Sequence, residues 1–116
     1  MTAYAIARLR NREIHPDLVT YVERIQTSLD PHRGRFLVHG GAPEVVEGSW
    51  AGGVAVIEFP DREAARAWYD SPDYQELLPL RTAHIDGDVI IAEGVGDDYD
   101  PASKAAVFHR AMGRQA

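Results

Sequence analysis

The sequence predicts one α+β domain of the order β-α-β-β-α-β, with a four-stranded antiparallel sheet, two helices on one face and an extra helix at the C-terminus. Three observations predict it. Four segments carry the short, branched, alternating pattern of strands. Helical patterns with their own start signals follow the first and third of these segments. Between the second and third lies a glycine-rich stretch with no helical period, which suits a hairpin.

The first strand is "AYAIARL", Ala3 to Leu9, which alternates and then runs into charge. In "HPDLVTYVERIQTSL", Pro16 suits a first helical position and Asp17 the first turn. Leu18, Val22, Ile25 and Leu29 form one apolar stripe, and Asp30, Pro31 and Gly34 end the helix. "RFLVHGG" is a second strand stopped by glycines, and "EVVEGSW" extends it or forms a hairpin arm. Gly52 and Gly53 turn the chain into "VAVIEF", the third strand, which Pro60 breaks. Asp61 caps "REAARAWY", and Ser71 with Pro72 starts "PDYQELLPLRTA", with a kink expected near Pro79. "DVIIAEGV" is the fourth strand. The acidic loop "GDDYD" follows, then a helix "ASKAAVFHRAM" capped by Asp100 and Pro101. Residues 1–96 therefore form the domain, and residues 97–116 an acidic loop with a tail helix. Val107, Phe108, Ala111 and Met112 share one side of that helix. They predict that it docks on its own subunit or across a dimer, since so short a helix is marginal alone.

This order is the ferredoxin-like pattern. Alternation divides its sheet into two faces. Ala5, Ala7, Leu9, Phe36, Val38, Ala55, Ile57, Phe59, Ile90 and Ala92 suit the helix side. The opposite set includes Ile6, Leu37, Val54, Val56, Val89 and Ile91, an apolar patch of roughly several hundred Å² that predicts a second copy packed on it. A ligand cavity is then expected between the two sheets, ringed by Tyr4, Arg8, Arg35, His39, Glu58 and Glu93.

Composition narrows the function. Net charge is −6, and eleven arginines and one lysine are scattered, which argues against nucleic-acid binding. The absence of cysteine excludes disulfides, thiolate metal sites and cysteine nucleophiles. No apolar run approaches membrane-spanning length, and the expectation is a cytoplasmic protein. No histidine pair has the i, i+4 helical spacing of a zinc site. No glycine-rich loop links a strand to a helix, and no nucleophile elbow surrounds a serine. No metal site and no cofactor are expected.

The candidate acid/base residues are His39, beside two glycines that permit close approach, and Glu58, in a strand with apolar neighbours. Glu58 is either an unpaired base with a raised pKa or an ion-pair partner of Arg8, Arg35 or Arg81. Candidate substrate-binding residues are Tyr4, Arg8, Arg35, Trp68, Tyr69 and Arg81. The arginines would hold an oxyanion and the aromatics would wall the site. Trp68 also suits plain packing, since it shares a face with Ala64 and Ala65. Asp61, Ser71 and Pro72 have sufficient roles as helix starts.

The stretches "RGRFLVHGG", "EVVEGSW", "VIEFPDREAARAWYDSPDYQ", the later "LR" and "AEGV" resemble the family called domain of unknown function 1330, over Tyr4 to Val95. The resemblance implies a dimeric α/β barrel. It places the family's motif on Glu58, Phe59, Pro60, Ala64, Ala65, Trp68, Tyr69, Ser71, Tyr74, Gln75 and Arg81. His39 stands where members often carry arginine before the double glycine. Wider relatives of the barrel imply cofactor-free monooxygenases, isomerases of small lactones and haem-handling proteins. The reading is thus a homodimer that binds a small molecule, either an enzyme doing proton-transfer, oxygenase or isomerase chemistry on a small carbonyl or phenolic compound, or a non-catalytic metabolite-binding or assembly module.

Overall fold

The computed structural model describes residues 1–113. The strands are β1 (Ala3–Arg10), β2 (Arg35–His39), β3 (Gly53–Phe59) and β4 (Asp86–Glu93), in the sheet order β2-β3-β1-β4. All three pairings are antiparallel. Helices α1 (Pro16–Leu29), α2 (Arg62–Asp70) and α3 (Pro72–Thr82) lie on one face, and α4 (Lys104–Gly113) follows a short 3₁₀ turn. This is the ferredoxin-like fold, with the second crossover divided into two helices.

The helix starts follow the sequence. Asp61 accepts the Ala64 N–H at 2.7 Å, and Ser71 accepts the Tyr74 N–H at 3.2 Å. Pro72 occupies the first turn of α3, which runs on through Pro79 as a single helix. At α1 the cap is His15, whose Nδ1 accepts the Asp17 N–H at 3.0 Å. Residues 40–52 form no strand, so "EVVEGSW" is an irregular connection. Gly52 ends it at φ +91°, where a Cβ would collide with the Leu9 carbonyl oxygen.

The core lies between sheet and helices. It gathers Ala5, Ile57 and Phe59 from the sheet, Tyr21, Ile25 and Leu29 from α1, Ala65 and Trp68 from α2, and Tyr74 and Leu77 from α3. The α1 stripe is rotated from expectation. Tyr21, Ile25, Ser28 and Leu29 are buried, whereas Val22 is half exposed. Polar side chains were able to turn inward because each finds a partner there. Tyr21 bonds Tyr74, and Ser28 both donates to the Ile25 carbonyl and accepts the Trp68 indole N–H.

Two face assignments are corrected. In β4, Val89 and Ile91 lie opposite Ala7 and Ala5 and so face the helices, while Ile90 and Ala92 lie opposite Ile6 and Tyr4. Four consecutive apolar residues, 89–92, give alternation nothing by which to choose a face. In β2 the register shifts between Phe36 and Val38. This irregularity puts Val38 opposite Val56 on the outer face and His39 opposite Ala55 on the helix face. The outer face consequently shows Ile6, Val38, Val54, Val56, Ile90 and Ala92, still largely apolar.

Helix α4 does not dock within the chain. Val107, Phe108 and Met112 are exposed, and only Ala111 is half-buried. No helix among the described residues is long and apolar enough to cross a membrane.

Candidate functional site

Three small side chains, Ala5, Ala7 and Ala55, hold the sheet back from the helices and leave a cavity of about 50 Å³ beneath them. Tyr21, Ile25, Phe36, Trp68, Tyr74 and Val89 wall it, and Arg81 and His39 also line it. This space is on the helix side of the sheet. The expected ring of Tyr4, Arg8, Arg35, His39, Glu58 and Glu93 is therefore divided, and only His39 reaches the cavity.

Arg81 is the feature that sets this site apart. Its side chain is carried inward by the last turn of α3, and the residue is only 6% exposed. A buried guanidinium normally has a carboxylate partner. Arg81 has none within salt-bridge distance among the described residues. Its neighbours are instead the phenols of Tyr21 and Tyr74, whose oxygens lie 2.8 Å apart. The guanidinium also leans over β4 at Gly87, where a Cβ would sit 3.0 Å from Nη1.

The electrostatics follow from this packing. Burial pushes the Tyr21 phenol well above the ordinary tyrosine range, and the adjoining Tyr74 adds to the rise; Arg81 opposes it only in part. Burial disfavours the Arg81 charge, but the two phenols outweigh it and keep the guanidinium protonated. The sign for stability is definite. Tyr21 holds its proton more tightly folded than unfolded, so the stability it contributes is complete below about pH 10 and is lost as pH rises above that value. Tyr21→Phe is expected to flatten the fall in stability above pH 10 by as much as ~1.4 kcal/mol per pH unit, read from urea midpoints at pH 9 to 11. An unchanged slope would remove Tyr21 from this role.

Two larger surface pockets share lining residues with the cavity. Leu9 and His39 also line an open pocket of about 680 Å³ with Arg12, Gly40, Gly41 and Trp50. His39 stacks on Phe36 there, with ring centroids 4.0 Å apart, and is solvent exposed. Ala5, Trp68 and Val89 also line a groove of about 520 Å³ between α2 and β4, with Arg62, Arg66 and Tyr69 on its rim. His39 and Tyr69 thus lie at these surface pockets, while Trp68 and Arg81 are buried.

The remaining candidates lie on the outer face. Arg35 Nε bonds Glu58 Oε1 at 2.8 Å, so the carboxylate is the ion-paired form of the two readings. Arg8 donates to the Ala51 carbonyl at 3.3 Å and lies over the Trp50 ring. Tyr4 lies opposite Glu58 and Ala92. Tyr21 was not singled out by the sequence. Its spacing of four and seven from Ile25 and Ser28 was the available signal.

The model of the domain of unknown function DUF1330 matches residues 2–95. The chain belongs to the DUF1330 family. Its α4 lies beyond that match. No curated protein matches this DUF1330 chain. Its fold is shared by a protein of unknown function from Rhodopseudomonas palustris, at 19% identity and a TM-score of 0.62, covering 82% of this chain and 83% of that one. It is also similar to SnoaB, a cofactor-independent oxygenase from Streptomyces nogalater, at 10% identity and a TM-score of 0.56, over 85% and 98% of the two chains. A dimeric ferredoxin-like protein of unknown function from Jannaschia sp. CCS1 matches at 15% identity and a TM-score of 0.56, over 81% and 100%. At these identities the likeness establishes the fold alone.

Proposed function

We propose that this DUF1330 protein is a homodimer that binds a small phenolic or enolisable carbonyl compound in the Arg81 cavity. The observation that carries the reading is the buried Arg81 guanidinium, which has no carboxylate partner among the described residues and faces a cavity beside two phenols. Such a cation is a preorganised partner for an enolate or phenolate oxygen. The apolar walls suit the remainder of such a compound. The Tyr21 and Tyr74 hydroxyls supply a second donor, and His39, at the open pocket, can pass a proton between ligand and solvent. The fold's occurrence in SnoaB, a cofactor-independent oxygenase, supports proton-transfer or oxygenase chemistry by analogy only.

Size sets the terms of binding. A cavity of about 50 Å³ holds roughly one or two waters, so a ring compound must widen it. The open pocket past His39 and the groove along α2 are the two directions in which it can do so. Dimerisation rests on the outer face, where Val38 and Ile90 are 42% and 57% exposed, and on the dimeric description of the Jannaschia protein.

The test is a thermal-shift and calorimetric screen of small phenols and 1,3-dicarbonyl compounds, run on the native protein and on Arg81→Met. Losing a charge-assisted hydrogen bond worth about 1.5–3 kcal/mol is expected to weaken binding roughly 10- to 150-fold. Equal affinity in both proteins would take Arg81 out of the site. Binding without turnover would favour the non-catalytic reading.

A further inference from the structure

A second cluster, outside the cavity, has the chemistry of a metal site. His15, Asp17 and His84 each offer one donor atom, and the three atoms lie within 4.8 Å of one another. Asp17 Oδ2 is 2.9 Å from His84 Nε2 and 3.4 Å from His15 Nδ1. The imidazoles stack, with centroids 3.9 Å apart and planes 15° from parallel. We propose that His15, Asp17 and His84 bind a divalent transition-metal ion of the zinc class, which clips the start of α1 to the turn between α3 and β4.

The donor spacing supports this. At metal–ligand bonds of about 2.0–2.1 Å, neighbouring donors in a tetrahedral site stand roughly 3.3 Å apart. The two observed separations bracket that value, and the stacked imidazoles would turn out of parallel so that both lone pairs meet at the ion. Two imidazoles and one carboxylate suit zinc, with a fourth position left for water. His15 Nδ1 accepts the Asp17 N–H at 3.0 Å and so carries no proton, and the ion would take the lone pair that now caps α1. His84 Nε2 would either release its proton to solvent or hold it on Nδ1 instead, so uptake of the ion weakens as pH falls.

Position gives the ion a consequence. Asp17 lies one helical turn before Tyr21, and His84 lies three residues after Arg81. The clip therefore fastens the two helices that carry the buried Tyr21, Tyr74 and Arg81. A search for histidines at i, i+4 could not find it, because its ligands come from two segments 67 residues apart.

The test uses the full chain stripped of metal with chelator. Titration with Zn²⁺ by calorimetry is expected to show one site per chain and a raised melting temperature that chelator reverses. Co²⁺ is expected to give the intense visible bands of a four-coordinate site. His15→Ala and His84→Ala should each weaken binding at least roughly tenfold, and His109→Ala, on the exposed α4, should not. Should the alanine variants fail to fold, Asp17→Asn keeps the shape and is expected to lose the melting shift. Absence of stoichiometric Zn²⁺ binding, or equal binding by Asp17→Asn and the native protein, would overturn the proposal.

Discussion

Ile6→Asp is expected to convert the proposed dimer into a monomer while leaving the domain folded. Ile6 is at the centre of the outer face, opposite Val56 on β3 and Ile90 on β4. A second sheet packed on that face would enclose the new carboxylate, while the nearest cation on the strand, Arg8, is held by the Ala51 carbonyl and the Trp50 ring. An unpaired buried charge costs about 3–5 kcal/mol, and a two-fold interface carries it twice. The dissociation constant should rise by roughly a hundredfold or more. The isolated subunit bears much less of this cost, because the position is only half-buried there. Sedimentation velocity across micromolar concentrations reads the change, and circular dichroism checks the fold. A variant that remains dimeric would place the interface elsewhere.

The second large effect is on stability. Trp68 is 3% exposed and touches most of the core, with its ring 4.1 Å from Tyr74 and 5.5 Å from Phe59 between centroids. Its indole N–H donates to Ser28 Oγ at 3.0 Å. Trp68→Ala should cost about 3–5 kcal/mol through lost burial and the void left behind. The Ser28 hydroxyl also loses its donor, although it still bonds the Ile25 carbonyl. Trp68→Phe fills much of the void and should cost clearly less, with the missing hydrogen bond contributing about 1 kcal/mol. Urea unfolding of the two variants separates packing from hydrogen bonding. Equal losses would mean that the indole N–H, rather than its bulk, carries the effect.

Much of the architecture was legible in the sequence because its signals are local. Asp61 and Ser71 announce their helices through cap chemistry, and Pro60 and Gly52 mark the ends of one strand. The candidate site was less legible because it depends on which face a residue takes. His39 changed sides through a register shift between Phe36 and Val38, which depends on pairing with β3 and leaves no mark on β2 alone. Val89 and Ile91 changed sides because residues 89–92 read as one apolar run after Asp88. Once both moves are made, His39 and Val89 line a cavity between sheet and helices. Arg81 was a candidate from its motif, but nothing local distinguishes a buried arginine from an exposed one near a helix end. Its role depends on Tyr21, which reaches it from α1, and on Tyr74 in the first turn of α3.

The location of the ligand is the claim on which the rest depends, and NMR shift mapping tests it directly. Methyl and side-chain N–H resonances would be followed while the best-binding phenol or dicarbonyl is added to the native protein. The expected result is movement of the Arg81 Nε–H, the Trp68 indole N–H and the Ile25 and Val89 methyls, with Ile6, Val56 and Ile90 unmoved. Movement of Ile6, Val56 and Ile90 with Arg81 unmoved would put the ligand between the sheets and contradict the account.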